Sequence, residues 1–105
     1  MNQIFQQMLK VTSARGFNSD RIQVSDERII ISGESESSLV AERINARIKV
    51  LISHGPDEPT GFLSLFDSEI EKMNTEEESI CLDAFDYGLE LLTPKGAIQS
   101  ERDNG

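Results

Sequence analysis

The chain is poor in the residues that staple, ligate or catalyse. Its 105 residues include one cysteine, one histidine, one tyrosine and no tryptophan. A lone cysteine, Cys81, forms neither an internal disulfide nor a paired-cysteine zinc site, which excludes a disulfide-stapled secreted domain. Basic residues are also scarce: ten Lys and Arg stand against nineteen Asp and Glu, for a net charge of −9. That balance disfavours broad attraction to nucleic acid or to an anionic membrane. Long hydrophobic runs are missing as well. The most apolar stretch, Ala41 to Ile52, is broken by Glu42, Arg43, Arg47 and Lys49, whereas a membrane helix needs about 20 apolar residues. The first residues, Met1 to Gln7, hold neither a basic segment nor a continuous apolar one, so no secretory signal is expected. A soluble cytoplasmic protein is the expectation.

Hydrophobic residues make up 37% of the chain, a low share, but they recur with clear periodicity, so an ordered core is expected. The length suits one small domain. It is expected over residues 1–94, with a polar, disordered tail over 95–105 that lacks periodicity. Burial per residue is low at this size, which favours an assembly that covers more surface, a homodimer among them.

Ile4, Phe5, Met8, Leu9 and Thr12 recur at helical spacing, with Gly16 as a stop. A hairpin is predicted next: Arg21 to Val24 alternates, Ser25-Asp26-Glu27 turns, and Ile29-Ile30-Ile31 is β-branched, closed by Gly33. A second helix is predicted from Leu39. Ser35, Ser37 and Ser38 offer caps; Val40, Ile44, Ile48, Leu51 and Ile52 form a stripe; Arg43 and Arg47 lie beside it at i,i+4. His54, Gly55 and Pro56 mark its end, and residues 54–61 form the one internal boundary.

Beyond that boundary two readings stand. Leu63, Phe66, Ile70 and Met73 are spaced for a helix, while Phe62 to Phe66 also fits a short strand. The last element reads as a helix opened by a capping box, with Thr75 as cap and Glu78 reaching back. Leu82, Phe85, Leu89 and Leu92 follow at helical spacing, and Pro94 ends the run. Gly88 costs such a helix roughly 1 kcal/mol relative to Ala, yet the spacing favours helix over a hairpin through Phe85 to Leu89. The expected fold class is therefore α+β: helix, β-hairpin, helix, then one or two C-terminal helices around one small core.

The helix–hairpin–helix order of residues 3–53 resembles the αββα portion of small modules such as BON domains. Val24, Ile29, Ile31 and Gly33, followed by the helix from Leu39, carry the likeness. It covers the first half of the chain, implies a fold for that half alone and brings no function with it.

Charge is segregated along the chain. Residues 1–55 hold seven basic and six acidic residues, and residues 56–105 hold three and thirteen. Asp83, Asp86 and Glu90 are expected on one side of the last helix, with Asp67 and Glu71 as a similar i,i+4 pair upstream. Two readings fit. Acids at a helix N-terminus, such as Glu76 to Glu78, stabilise the helix by ~0.3–1 kcal/mol each, and acidic faces keep small proteins soluble. Alternatively, the surface steers a basic partner. Solubility alone does not require the segregation.

Catalytic and ligand-binding chemistry finds little support. His54 sits where a helix C-terminus explains it, and no G-x-S-x-G elbow accompanies it. Cys81 follows three glutamates that disfavour the thiolate, so a buried, inert thiol is expected. The run Asp83 to Gly88 places Gly where a calcium loop has it, but Phe85 and Tyr87 stand at ligand positions. No phosphate-binding glycine motif occurs. Arg21, Arg28, Arg43 and Arg47 have no aromatic platform among them, so direct nucleic-acid binding is not expected. No catalytic residue, cofactor or metal is assigned. The expectation is a non-enzymatic module whose acidic second half meets a basic protein, for instance an inhibitor or immunity-type protein blocking a basic nuclease. Asp67, Glu71, Asp83, Asp86 and Glu90, with Tyr87 as an anchor, would form the contact. The alternative is a self-associating assembly or regulatory subunit that shares Phe85, Leu89 and Leu92 of the last helix between copies.

Overall fold

The computed structural model describes residues 3–33, 36–53 and 63–92. Helix α1 (Gln3–Ala14) is followed by strands β1 (Ile22–Val24), β2 (Arg28–Ser32), β3 (Ser38–Ile44), β4 (Arg47–Ser53) and β5 (Leu63–Glu69), and by helix α2 (Thr75–Leu92). The strands form one antiparallel sheet in chain order. The α+β character stands. The helix–hairpin–helix order does not, because a five-stranded meander separates two helices.

The first helix and the hairpin lie where the sequence places them. α1 buries Ile4, Phe5, Met8 and Thr12, and the Thr12 hydroxyl donates to the Met8 carbonyl at 2.8 Å. Gly16 takes φ +89°. The amides of Gly16 and Phe17 then donate to the carbonyls of Ser13 and Thr12, the paired bonds that close a helix on a left-handed glycine.

The helix predicted from Leu39 is the main correction: that stretch is the β3–β4 hairpin. Ile44 pairs with Arg47, which leaves Asn45 and Ala46 as a two-residue turn. Asn45 sits at φ +56°, a region where asparagine is tolerated and β-branched residues are not. The supposed stripe is split between two faces. Ile48 and Ile52 point into the core with Val50, while Val40, Ile44 and Leu51 belong to the opposite face. The i,i+4 spacing arises because the stretch is apolar on both faces; its β-branched residues favour the strand. Arg43 and Arg47 therefore share no helical face. Ser38 opens β3 instead of capping a helix. The likeness to an αββα module falls with that helix. Ser35, the His54-Gly55-Pro56 stop, the boundary over 54–61, Phe62, Pro94 and the tail over 95–105 lie outside the described residues.

Of the two readings for the next segment, the strand is correct. β5 runs from Leu63 to Glu69 with a bulge at Leu65 opposite Val50 and Leu51. A single 3-10 turn, Ile70–Lys72, follows it, and the Ile70 amide donates to the Ala46 carbonyl at 2.6 Å. The cap of α2 also shifts by one residue. The Asn74 side chain accepts from the Glu77 amide at 2.9 Å, so Asn74 is the cap and Thr75 the first helical residue. Asparagine caps at least as well as threonine.

The inner face of the sheet is built in rows across the strands. Ile31, Leu39 and Ile52 form one row, and Ile29, Ala41 and Val50 the next. These residues are fully buried and share one cluster with Ile4, Phe5 and Met8 of α1 and Cys81, Phe85, Leu89 and Leu92 of α2. α2 packs against β3, β4, β5 and α1. The outer face carries a row of opposite charges, Arg28, Glu42, Lys49 and Asp67, beside an apolar row of Ile30, Val40 and Leu51.

Gly88 sets the closeness of α2 to the sheet. A Cβ there would clash with Leu39 Cδ1 and lie 3.1 Å from Leu65 Cδ1. Gly88→Ala is expected to lower stability by ~1–3 kcal/mol through overpacking, despite the roughly 1 kcal/mol that alanine adds to helix propensity. Urea denaturation checks this, and a raised midpoint would show that Leu39 has room to move.

Candidate functional site

α2 has a buried side and an exposed one. Cys81, Phe85, Gly88, Leu89 and Leu92 are buried. Bordering that buried side, Ile80, Tyr87 and Leu91 line up along the helix and are 48%, 53% and 37% exposed. Ala84 lies half-buried between them, and Glu76, Asp83 and Glu90 are exposed along one flank of this apolar stripe. The helix carries six acids and no Lys, Arg or His.

The six residues expected to meet a partner fall into distinct places. Asp83, Tyr87 and Glu90 share the exposed side of α2, where Asp83 and Glu90 form no ion pair among the described residues. Asp86 lies at the margin of that side and is tied to α1. Arg15 Nε donates to Asp86 Oδ1 at 2.6 Å and Nη2 to Oδ2 at 2.9 Å. Asp67 is on β5, on the outer face of the sheet, and accepts from Arg47 Nε at 2.9 Å. Arg47 also lies 3.8 Å from Glu69, which pairs with Lys72 at 3.2 Å. Glu71 sits in the 3-10 turn, so Asp67 and Glu71 do not form a helical pair. Ile80 and Leu91 escaped the sequence reading, which followed the buried stripe. Their signal is the 80, 84, 87, 91 spacing, and it emerges only once the buried side is known.

The Arg15 guanidinium, by hydrogen bonding, holds the Asp86 carboxyl below its usual range, and Asp86 in turn raises Arg15. Glu90 adds to the negative field at Arg15. The Cys81 thiol is fully buried. Burial foremost, then the charges of Glu77 and Glu78, push it up to about 12. It is therefore protonated at neutral pH and a poor nucleophile.

Phe85, Leu89 and Leu92 are buried in this chain's own core, so a shared interface between copies cannot use them while α2 stays in place. Among the described residues, no group of three His, Cys, Asp or Glu could hold a metal ion, and no helix is long and apolar enough to cross a membrane. A shallow depression of about 220 Å³ lies at the β1–β2 hairpin, lined by Gln23, Val24, Ser25, Arg28 and Ile30, on a different element from the acids of α2. Comparison with protein-family models, curated proteins and solved structures finds no match for this chain.

Two outcomes follow from the titrations. The ion pair made by the depressed Asp86 carboxyl stabilises the fold above the unfolded value near pH 4 and is lost as pH falls through the lower folded value. Because this pair is partly exposed, Asp86→Asn is expected to cost ~1 kcal/mol or less at neutral pH. The gap to the parent should close below about pH 4, as read from urea midpoints. Cys81 acts in the opposite direction. Between about pH 9 and about 12 the unfolded chain releases the thiol proton and the folded chain retains it. Stability from this group therefore falls as pH rises through that window. Cys81→Ala should remove that slope, and equal slopes in parent and variant would contradict the assignment.

Proposed function

We propose that this chain is a non-enzymatic interaction module that binds a basic protein through the exposed side of α2. Its most concrete form is an inhibitor or immunity-type protein that covers a basic nuclease or DNA-binding surface. The observation that carries this reading is the grouping of Tyr87 with Ile80 and Leu91, flanked by acids that no basic side chain of the described residues neutralises in an ion pair. A large aromatic beside aliphatic side chains supplies the desolvated centre that dominates binding energy. The acids along one flank supply steering and select against acidic competitors. Asp67 and Asp86 drop out of the contact, because both are already engaged by this chain's own arginines.

Capture from a native lysate, with tagged parent and an Asp83→Lys/Glu90→Lys variant side by side, checks the proposal. The expected result is a basic protein retained by the parent at low salt, released at high salt and missing from the variant. The variant's helical circular dichroism should match the parent's, since both positions are exposed. Recovery of the same proteins on both baits would overturn the reading.

A further inference from the structure

Ile80, Ala84, Tyr87 and Leu91 are separated by four, three and four residues. That is the alternation of the two apolar positions in a heptad, the seam along which one helix packs on another. In the same register Glu76, Asp83 and Glu90 recur every seven residues at the position flanking the seam, where coiled coils place the charges that select a partner. The other flank is Cys81 and Gly88, both buried in the chain's own fold, with Leu65 of β5 adjoining Gly88. α2 thus offers an apolar seam about 18 Å long with a charged flank on one side only.

We infer that the partner presents an amphipathic helix, which packs lengthwise on α2 with its basic residues against Glu76, Asp83 and Glu90. The inference rests on the basic-partner reading above and narrows it to one kind of partner surface. Charge and burial together decide against a second copy of this chain. Antiparallel pairing of two α2 helices places one acidic flank against the other, which is destabilising. Parallel pairing sets each acidic flank against Cys81 and Gly88, which are buried. A basic helix satisfies both the seam and its flank. The contact is short, so the affinity belongs to the weak or transient class.

Two labelled synthetic peptides of equal composition test this. One carries Leu at both seam positions of successive heptads and Lys at the flanking positions; the other has the same residues reordered so that the Leu side chains share no face. The full chain is titrated into each at low and high salt, with fluorescence anisotropy as readout. The patterned peptide is expected to bind with a Kd on the order of micromolar, more weakly at high salt, and at least about tenfold more tightly than the reordered one. Tyr87→Ala should weaken the patterned peptide about tenfold, and Asp83→Lys/Glu90→Lys should remove its salt dependence. Both variants lie on exposed positions, and circular dichroism verifies their fold. Equal binding of the two peptides would overturn the helical seam and leave the basic-partner reading standing. Patterned binding that neither variant alters would also overturn the seam, by placing the contact elsewhere. Binding of neither peptide at millimolar concentration would overturn both readings.

Discussion

The inner face of the sheet must be kept from water, and the rest of the structure depends on how closely α2 approaches it. Ile29, Ile31, Leu39, Ala41, Ile48, Val50 and Ile52 line that face, and each large aliphatic side chain gains ~1.5–3 kcal/mol from full burial. Phe85 and Leu89 reach the face only because Gly88 lets the helix settle against Leu39 and Leu65. A glycine that weakens the helix locally thus strengthens the domain. Arg15 and Asp86 then tie the end of α1 to the middle of α2, so the two helices cover the sheet as a connected pair.

The sequence made the elements legible wherever one periodicity competed with no other. α1 and the β1–β2 hairpin have a clean apolar side, Gly16 marks a left-handed stop, and both were readable. The Leu39–Ile52 region fails for a physical reason. β3 and β4 are central strands with apolar residues on both faces, Val40 and Leu51 outside and Leu39 and Ile52 inside. Such a segment satisfies i,i+4 spacing and alternation together. Two signals would have separated them: the density of β-branched residues and Asn45, a residue suited to a tight turn. Missing that turn also turned one apolar hairpin into one helix, and it misplaced Arg43 and Arg47 on a common face.

The candidate site was legible in its composition and not in its geometry. A helix rich in acids was visible from residues 75–92, but the destination of each acid depended on contacts far away in sequence. Asp86 meets Arg15 across 71 positions and Asp67 meets Arg47 across 20. Partly exposed pairs of this kind contribute little stability each. Their larger consequence is subtraction: they remove two carboxylates from the surface available to a second molecule and leave Asp83 and Glu90 on the exposed side of α2.

That subtraction gives the remaining surface its meaning. Single exposed aliphatic residues are ordinary on any protein and call for no account. Ile80, Tyr87 and Leu91 differ because they line up along one helix and stand outside the cluster in which Cys81, Phe85, Leu89 and Leu92 fix the helix on the sheet. An exposed apolar line raises the risk of self-association. The acids at seven-residue spacing lower that risk, because antiparallel pairing of two such helices would set one acidic flank against the other. The same charges favour a helix of opposite sign. One arrangement of side chains therefore both disfavours antiparallel pairing of the seam with its own copy and suits it to a helix of opposite charge.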